Sequence, residues 1–186
     1  MPNGVDFKPW ELYPHIWKTE SAWLSFIRGG IRRYLWSKNP VKLEFMKDKR
    51  VMIPNPSKRK GAKAQVWGAQ CEQCNKLVPQ KDIEVDHKTG EHSLRKAADI
   101  QKFVEGIVFV RKEDLAILCK PCHKTKTYSE RSGMSLEDAA IEKEAISICK
   151  QPAAVVKSWL VERGVTPAKT VGERRVQVVE ALKGGK

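Results

Sequence analysis

The sequence has no apolar run near the roughly 20 residues that a membrane-crossing helix needs, so no membrane role is expected. Its opening, MPNGVDFKPWELYPH, lacks the basic-then-apolar order of a secretory signal. Together these absences set the expectation of a cytoplasmic protein. No internal repeat is present, which excludes a solenoid or blade architecture. Acidic residues are scarce at the front, where residues 1–65 carry 14 basic and 5 acidic side chains. The numbers are 11 and 10 over residues 66–130, and 10 and 7 over residues 131–186. The net charge of +13 therefore sits mostly ahead of residue 66. A basic excess distributed in this way suits a polyanionic partner, of which nucleic acid is the usual one; a generic soluble basic surface is the plainer reading.

Cysteine is sparse and odd in number, five in 186 residues. In a reducing compartment, C-x-x-C units far apart in sequence point to metal more than to disulfides. Cys71 and Cys74 form one such unit in CEQCNK, and Cys119 and Cys122 the other in LCKPCHKTKT. Each turn presents two sulfurs on one side of an ion, and two turns complete a tetrahedral zinc cage. Four sulfurs leave no open position for water, so this zinc is expected to be structural, and chemistry must come from other residues. The cage would tie the front of the motif region to its last helix, in a segment whose own core is small. Cys149, left over in AISICKQ, reads as a small apolar residue of a helix.

The remaining pattern organises the chain. From Thr19, the spacing of Trp23, Ile27 and Ile31 predicts a helix, with Arg28, Arg32 and Arg33 off its apolar stripe and Gly29-Gly30 as a weak point. IPNPSKRKGAKAQ, residues 53–65, has the chemistry of a linker, and its Lys58, Arg59 and Lys60 suit phosphates or solvent. QVWGAQ, KDIEVDH and DLAILC read as short strands, and KPCHKTKTYSERSG as a helix ending near Gly133. Ser135 with Asp138 and Thr170 with Glu173 resemble capping boxes. They open the first and last of three C-terminal helices, the middle one running through Val155, Trp159 and Leu160 to Gly164.

Between the cysteine pairs, EVDHKTG carries Asp86 and His87, and His123 follows Cys122 directly. Phosphodiester hydrolysis needs a base for water and a cation for the phosphate and leaving oxygen, and a carboxylate with two imidazoles can supply both. In order and wording, CEQC, VDH, DLAILC and CKPCHKTKT resemble the HNH endonuclease family, particularly free-standing bacteriophage members including homing endonucleases. The resemblance covers roughly residues 66–130. It implies a ββα-metal unit in which His87 is the general base and Asp86 and His123 hold a catalytic Mg²⁺, Mn²⁺ or similar ion. The family's Asn before the second cysteine pair aligns with Asp114, an accessory candidate that accepts hydrogen bonds but, when ionised, donates none. On a regular strand Asp86 and His87 would lie on opposite faces, so the strand is expected to end or bend there. His92 is a weaker candidate, more in keeping with a surface histidine.

The expected fold is α+β, a zinc-stapled ββα-metal HNH core with helical N- and C-terminal extensions. Residues 1–64 form a basic, aromatic-rich segment and linker, 65–133 the nuclease core, and 134–186 a helical region whose AVVKSWLVERGVTPAKTVGERRVQVVEAL loosely resembles a SAP-type DNA-binding module. The expected partner is double-stranded DNA, contacted by Arg28, Arg32, Arg33, Lys58, Arg59, Lys60, Lys124 and Lys126, by a monomer or a dimer assembled on DNA. The alternatives are a non-catalytic zinc-stabilised DNA-binding protein and a nuclease selective for branched DNA or for RNA.

Overall fold

A computed structural model describes residues 8–90 and 93–185. His92 lies outside the described residues. The chain divides into two units, Met1–Lys120 and Pro121–Lys186.

The first unit opens with a short helical turn, α1 (Pro9–Leu12), and then α2 (Glu20–Ile31). Thr19 caps α2, its hydroxyl accepting from Ala22 N at 3.1 Å. The helix does not break at Gly29-Gly30. Each glycine costs a helix about 1 kcal/mol relative to alanine. That cost is met by tertiary packing, because buried Leu24 and half-buried Trp23, Ile27 and Ile31 pack with Leu94, Phe103 and Ile107. Beyond Ile31 the chain passes into a π-helical turn, Arg32–Trp36, closed by Ser37 N to Arg32 O at 3.0 Å. Trp36 packs against that cluster and also against a second one, Phe45, Ala69, Ile83, Val85, Val110, Leu115 and Ile117.

Helix α3 (Pro40–Lys49) starts with proline at its first position, where no N–H is needed, and with buried Asn39 as its cap. Strands β1 (Val51–Pro54), β2 (Gln65–Gln70) and β3 (Leu77–Pro79) form an antiparallel sheet in that order. The stretch with linker composition is therefore the loop of a β1–β2 hairpin. Turn-forming Pro, Gly and Ser serve both purposes, and a four-residue strand is too short to register as one in the sequence. Strands β4 (Ile83–His87) and β5 (Leu115–Cys119) form a separate antiparallel pair, and β5 is buried at all five positions. Between them runs α4 (Ile100–Val108), a helix not expected from the sequence pattern.

The second unit is helical: α5 (Lys120–Ser132), α6 (Leu136–Cys149), α7 (Ala153–Val161) and α8 (Val171–Gly184). Ser135 Oγ accepts from Asp138 N at 3.0 Å, and Thr170 with Glu173 completes a reciprocal box. Gly164 after α7 sits at φ +72°, a left-handed conformation that suits glycine. Ala145, Val156, Leu160 and Val178 form the core, with Cys149 at the edge of that cluster. Buried Arg174 donates to Ala168 O at 2.8 Å and Lys169 O at 2.6 Å, holding the α7–α8 loop.

Gly68 is required by close approach. A Cβ there would stand 2.5 Å from Ile53 Cδ1 and 2.6 Å from the Val78 carbonyl oxygen, which belongs to the paired backbone of β3. Gly68→Ala is expected to destabilise the protein by about 1–3 kcal/mol, read as a lower midpoint in thermal circular dichroism. An unchanged midpoint would show that the sheet yields at no cost.

Candidate metal centre and its surroundings

The turn joining β2 to β3 is a knuckle built by its backbone. Cys71 N donates to Lys76 O at 3.0 Å and Asn75 N to Cys71 O at 2.8 Å. Asn75 sits at φ 57°, a left-handed position that asparagine tolerates better than most residues. Gln70 Nε2 donates to Asn75 O at 3.1 Å. Glu72 fixes the knuckle to β5: its N–H donates to Ile117 O at 2.8 Å, and its carboxylate accepts from Ile117 N at 3.2 Å. Cys119 is the last residue of β5, and Cys122 lies in the first turn of α5.

Four sulfurs meet there. Those of Cys71, Cys74, Cys119 and Cys122 all lie within 4.8 Å of one another, with Cys74 and Cys119 3.9 Å apart. A zinc tetrahedron with Zn–S of about 2.3 Å has sulfur–sulfur edges of about 3.8 Å, so the group has the dimensions the metal needs. No disulfide joins any of the five described cysteines. Burial pushes the Cys71 thiol up, but hydrogen bonds from the backbones of Cys119, Cys74 and Gln73 and from the Cys74 side chain outweigh it and bring it down to about 6. A thiolate at neutral pH is the form that ligates metal. Cys149 is separate, and burial pushes its thiol up.

Among the described residues no other cluster of three or more His, Cys, Asp or Glu ligand atoms is present. The structure thus brings the four cysteines together as a group.

His87 ends β4 opposite Leu115, and Asp86 pairs with Ala116. The strand ends at His87 as expected, but its ladder stays regular that far. His87 lies on the side of Trp36, which packs against the cluster that holds Ile83 and Val85. The His87 ring stacks on Trp36, with centroids 4.6 Å apart and planes at 22°. Its Nε2 lies 2.8 Å from the Gly106 carbonyl oxygen in the last turn of α4. A carbonyl only accepts, so Nε2 carries the proton and the neutral ring keeps its lone pair on Nδ1. The neighbouring Ile107 carbonyl accepts from Asn39 Nδ2 at 2.8 Å. Lys42 Nζ stands 4.7 Å from the Trp36 ring centroid, and burial pulls its pKa down against the opposing charge of Glu84.

Asp114 holds the chain after His87 through its backbone, its carbonyl accepting from Lys88 N at 2.8 Å. Its carboxylate is gripped by Arg111 Nε at 2.9 Å and Nη2 at 3.1 Å, and those bonds keep it below the usual carboxylate range. His123 is the fourth residue of α5, half-buried and next to Cys122.

The proposed DNA contacts differ among themselves. Arg28 is turned inward, its guanidinium donating to Leu94 O at 2.5 Å. Arg32 and Arg33 are exposed on the π-helical turn, and Lys58, Arg59 and Lys60 are exposed in the hairpin loop. Lys124 is exposed on α5, whereas half-buried Lys126 pairs with Glu130 at 2.6 Å.

Sequence reasoning missed Trp36, Gly106 and Asn39 around His87. Only Gly106 lies within a readable signal, the Ile100, Phe103 and Ile107 spacing of α4.

Fold and site define an α+β chain with a four-cysteine group suited to zinc. No protein-family model, curated protein or solved structure matches the chain. No helix of the described residues is long and apolar enough to cross a membrane.

The cysteine group is expected to hold one zinc per chain, and a structural site of this kind contributes on the order of 10 kcal/mol of apparent folding free energy. Elemental analysis of the purified protein should give one equivalent. Stripping the metal with a chelator, or replacing Cys71→Ser, should lower the melting midpoint by more than about 10 °C. A metal-free protein with an unchanged midpoint would exclude the assignment.

Proposed function

We propose that the chain is a metal-dependent DNA endonuclease of the HNH type, akin to the free-standing phage enzymes that include homing and nicking nucleases. The observation that carries this reading is the state of His87. Its ring is clamped between an indole face and a backbone carbonyl, in the tautomer that leaves Nδ1 basic. A base that must take a proton from water needs that orientation and that lone pair.

Three further features support the reading. Strands β4 and β5 pair antiparallel, with α4 in the connection between them, and α5 follows β5 without a break, an arrangement compatible with the ββα unit of the family resembled. The cysteine group anchors Cys122, and His123 is its neighbour. The carbonyl of Asp114 does by backbone what the family's Asn does for the base-bearing loop.

In this reading Asp86 and His123 ligate the catalytic ion, since a carboxylate and an imidazole suit Mg²⁺ or Mn²⁺ that keeps most of its waters. When bound, that ion supplies charge neutralisation at the phosphate. Within the chain, His87 Nδ1 accepts the proton of the attacking water while Nε2–H stays on Gly106 O. Trp36 blocks rotation of the ring, and Lys88 N on Asp114 O keeps the strand end in place. The substrate is double-stranded DNA, attracted by the basic front of the chain. One site per chain predicts nicking by a monomer, with double-strand cuts requiring two chains on DNA or two events.

One observation favours a second reading, a zinc-stabilised DNA-binding protein without catalysis. The cysteine group is the one multi-ligand cluster among the described residues. Supercoiled plasmid with Mg²⁺ or Mn²⁺ separates the two readings. The wild type should convert plasmid to nicked circles, and His87→Ala should cut about 10²–10⁴-fold more slowly with its zinc content unchanged. A wild type that binds DNA but never cuts with any divalent ion would leave the second reading standing.

A further inference from the structure

The β1–β2 hairpin is strongly cationic. Residues 50–68 contain Arg50, Lys58, Arg59, Lys60 and Lys63, and no Asp or Glu. Among the described residues none of the five makes an ion pair. Their charge is therefore not consumed within the protein.

The hairpin is also a ribbon. β3 pairs with β2 only from Gly68 onward, so the pairs Met52↔Trp67, Ile53↔Val66 and Pro54↔Gln65 have no third strand beside them. Two large apolar side chains directly opposite each other, Met52 and Trp67, are 46% and 44% exposed. The Arg50 guanidinium lies 4.3 Å from the Trp67 ring centroid and holds the indole against the ribbon.

The basic tip is ordered by its own bonds. Asn55 N donates to Ala64 O at 2.9 Å and Asn55 Nδ2 to Lys63 O at 2.8 Å. Ser57 N donates to Asn55 Oδ1 at 3.0 Å, Ala62 N donates to Arg59 O at 3.0 Å, and Gly61 turns the chain at φ +78°. Preorganisation of this kind lowers the entropy cost of binding.

We infer that this ribbon is a DNA-binding arm that enters the major groove of a B-form duplex, with its tip cations on the flanking phosphates and the Met52–Trp67 face toward the base edges. Dimensions decide the groove. Two strands about 4.8 Å apart with side chains on both edges fill the roughly 12 Å major groove and exceed the roughly 6 Å minor groove. The major groove of A-form RNA is too narrow to admit side chains, which selects DNA over RNA. The inference rests on the duplex-DNA substrate proposed above, not on the hydrolytic chemistry.

The test is binding of full-length, zinc-loaded protein to a fluorescent duplex of about 30 base pairs without added Mg²⁺ or Mn²⁺, at several salt concentrations. Lys58→Ala/Arg59→Ala/Lys60→Ala should lower the slope of log K against log salt by about 3, one for each phosphate that the variant no longer neutralises. Lys47→Ala/Lys81→Ala/Lys102→Ala, an equal loss of charge at exposed positions elsewhere, should lower it by less. Circular dichroism and zinc content of both variants should match the wild type. A duplex whose major groove is filled by glucosylated 5-hydroxymethylcytosine should bind the wild type as weakly as plain duplex binds the hairpin variant, and netropsin in the minor groove should leave binding intact. Equal slopes for the two triple variants, displacement by netropsin, indifference to glucosylation, or equal affinity for duplex RNA would each overturn the arm. The two proposals fail separately. Groove-dependent binding by a protein that never cuts plasmid removes the nuclease and keeps the arm, whereas cutting with an unaltered hairpin slope does the reverse.

Discussion

An α-helix leaves its last four carbonyls without partners of its own, and in the first unit that need organises the surroundings of the candidate base. In α4 the Glu105 carbonyl takes the Phe109 N–H, the Gly106 carbonyl takes His87 Nε2–H, and the Ile107 carbonyl takes Asn39 Nδ2. A buried carbonyl left unsatisfied costs about 1–3 kcal/mol. His87 is therefore held where it is by the stability of the fold, and the bond that caps the helix also fixes its tautomer. Asn39 acts at both ends, because its side-chain oxygen accepts from Val41 N and Lys42 N at the start of α3. Trp36, three residues earlier, closes the ring face. One short helix terminus thereby gathers residues from α3, β4 and the π-helical turn.

The sulfur group acts on a different part of the same strand pair. Glu72 fastens the knuckle to β5 at its middle residue, Ile117, while β5 aligns β4 residue by residue. Displacing the knuckle would pull on Ile117, which pairs with Val85, two residues before His87. The four-sulfur group and the candidate base are thus linked through one five-residue ladder.

The parts legible in the sequence are those whose signal is local. The cysteine pairs announce their group because C-x-x-C turns carry their geometry with them. Ser135 and Thr170 mark helix starts because a cap acts within three residues. Strands β2, β4 and β5 are readable from short apolar runs. Helix α4 is harder, since Asp99 gives it no side-chain cap and Gly106 interrupts its last turn. The continuity of α2 through Gly29-Gly30 depends on Phe103 and Leu94, which lie some 70 residues away, so local propensity misleads there. The partner of His87 is illegible for a different reason. A backbone carbonyl leaves no trace in residue identity, and nothing about Gly106 as a letter says that an imidazole will meet it. The hairpin is not legible, because a basic loop between two four-to-six-residue strands has the composition of a tether.

The separation of the two cysteine pairs has a consequence for the chain as it is made. Cys74 and its neighbour in the sulfur group, Cys119, are 45 residues apart. At about 5–20 residues per second, several seconds of synthesis pass between them. Throughout that interval the knuckle is a two-thiol half-site, open to oxidation and to any soft ion, and β4 lacks the buried strand that will cover it. The half-site is thus exposed midway through translation and closes only when Cys119 and Cys122 arrive.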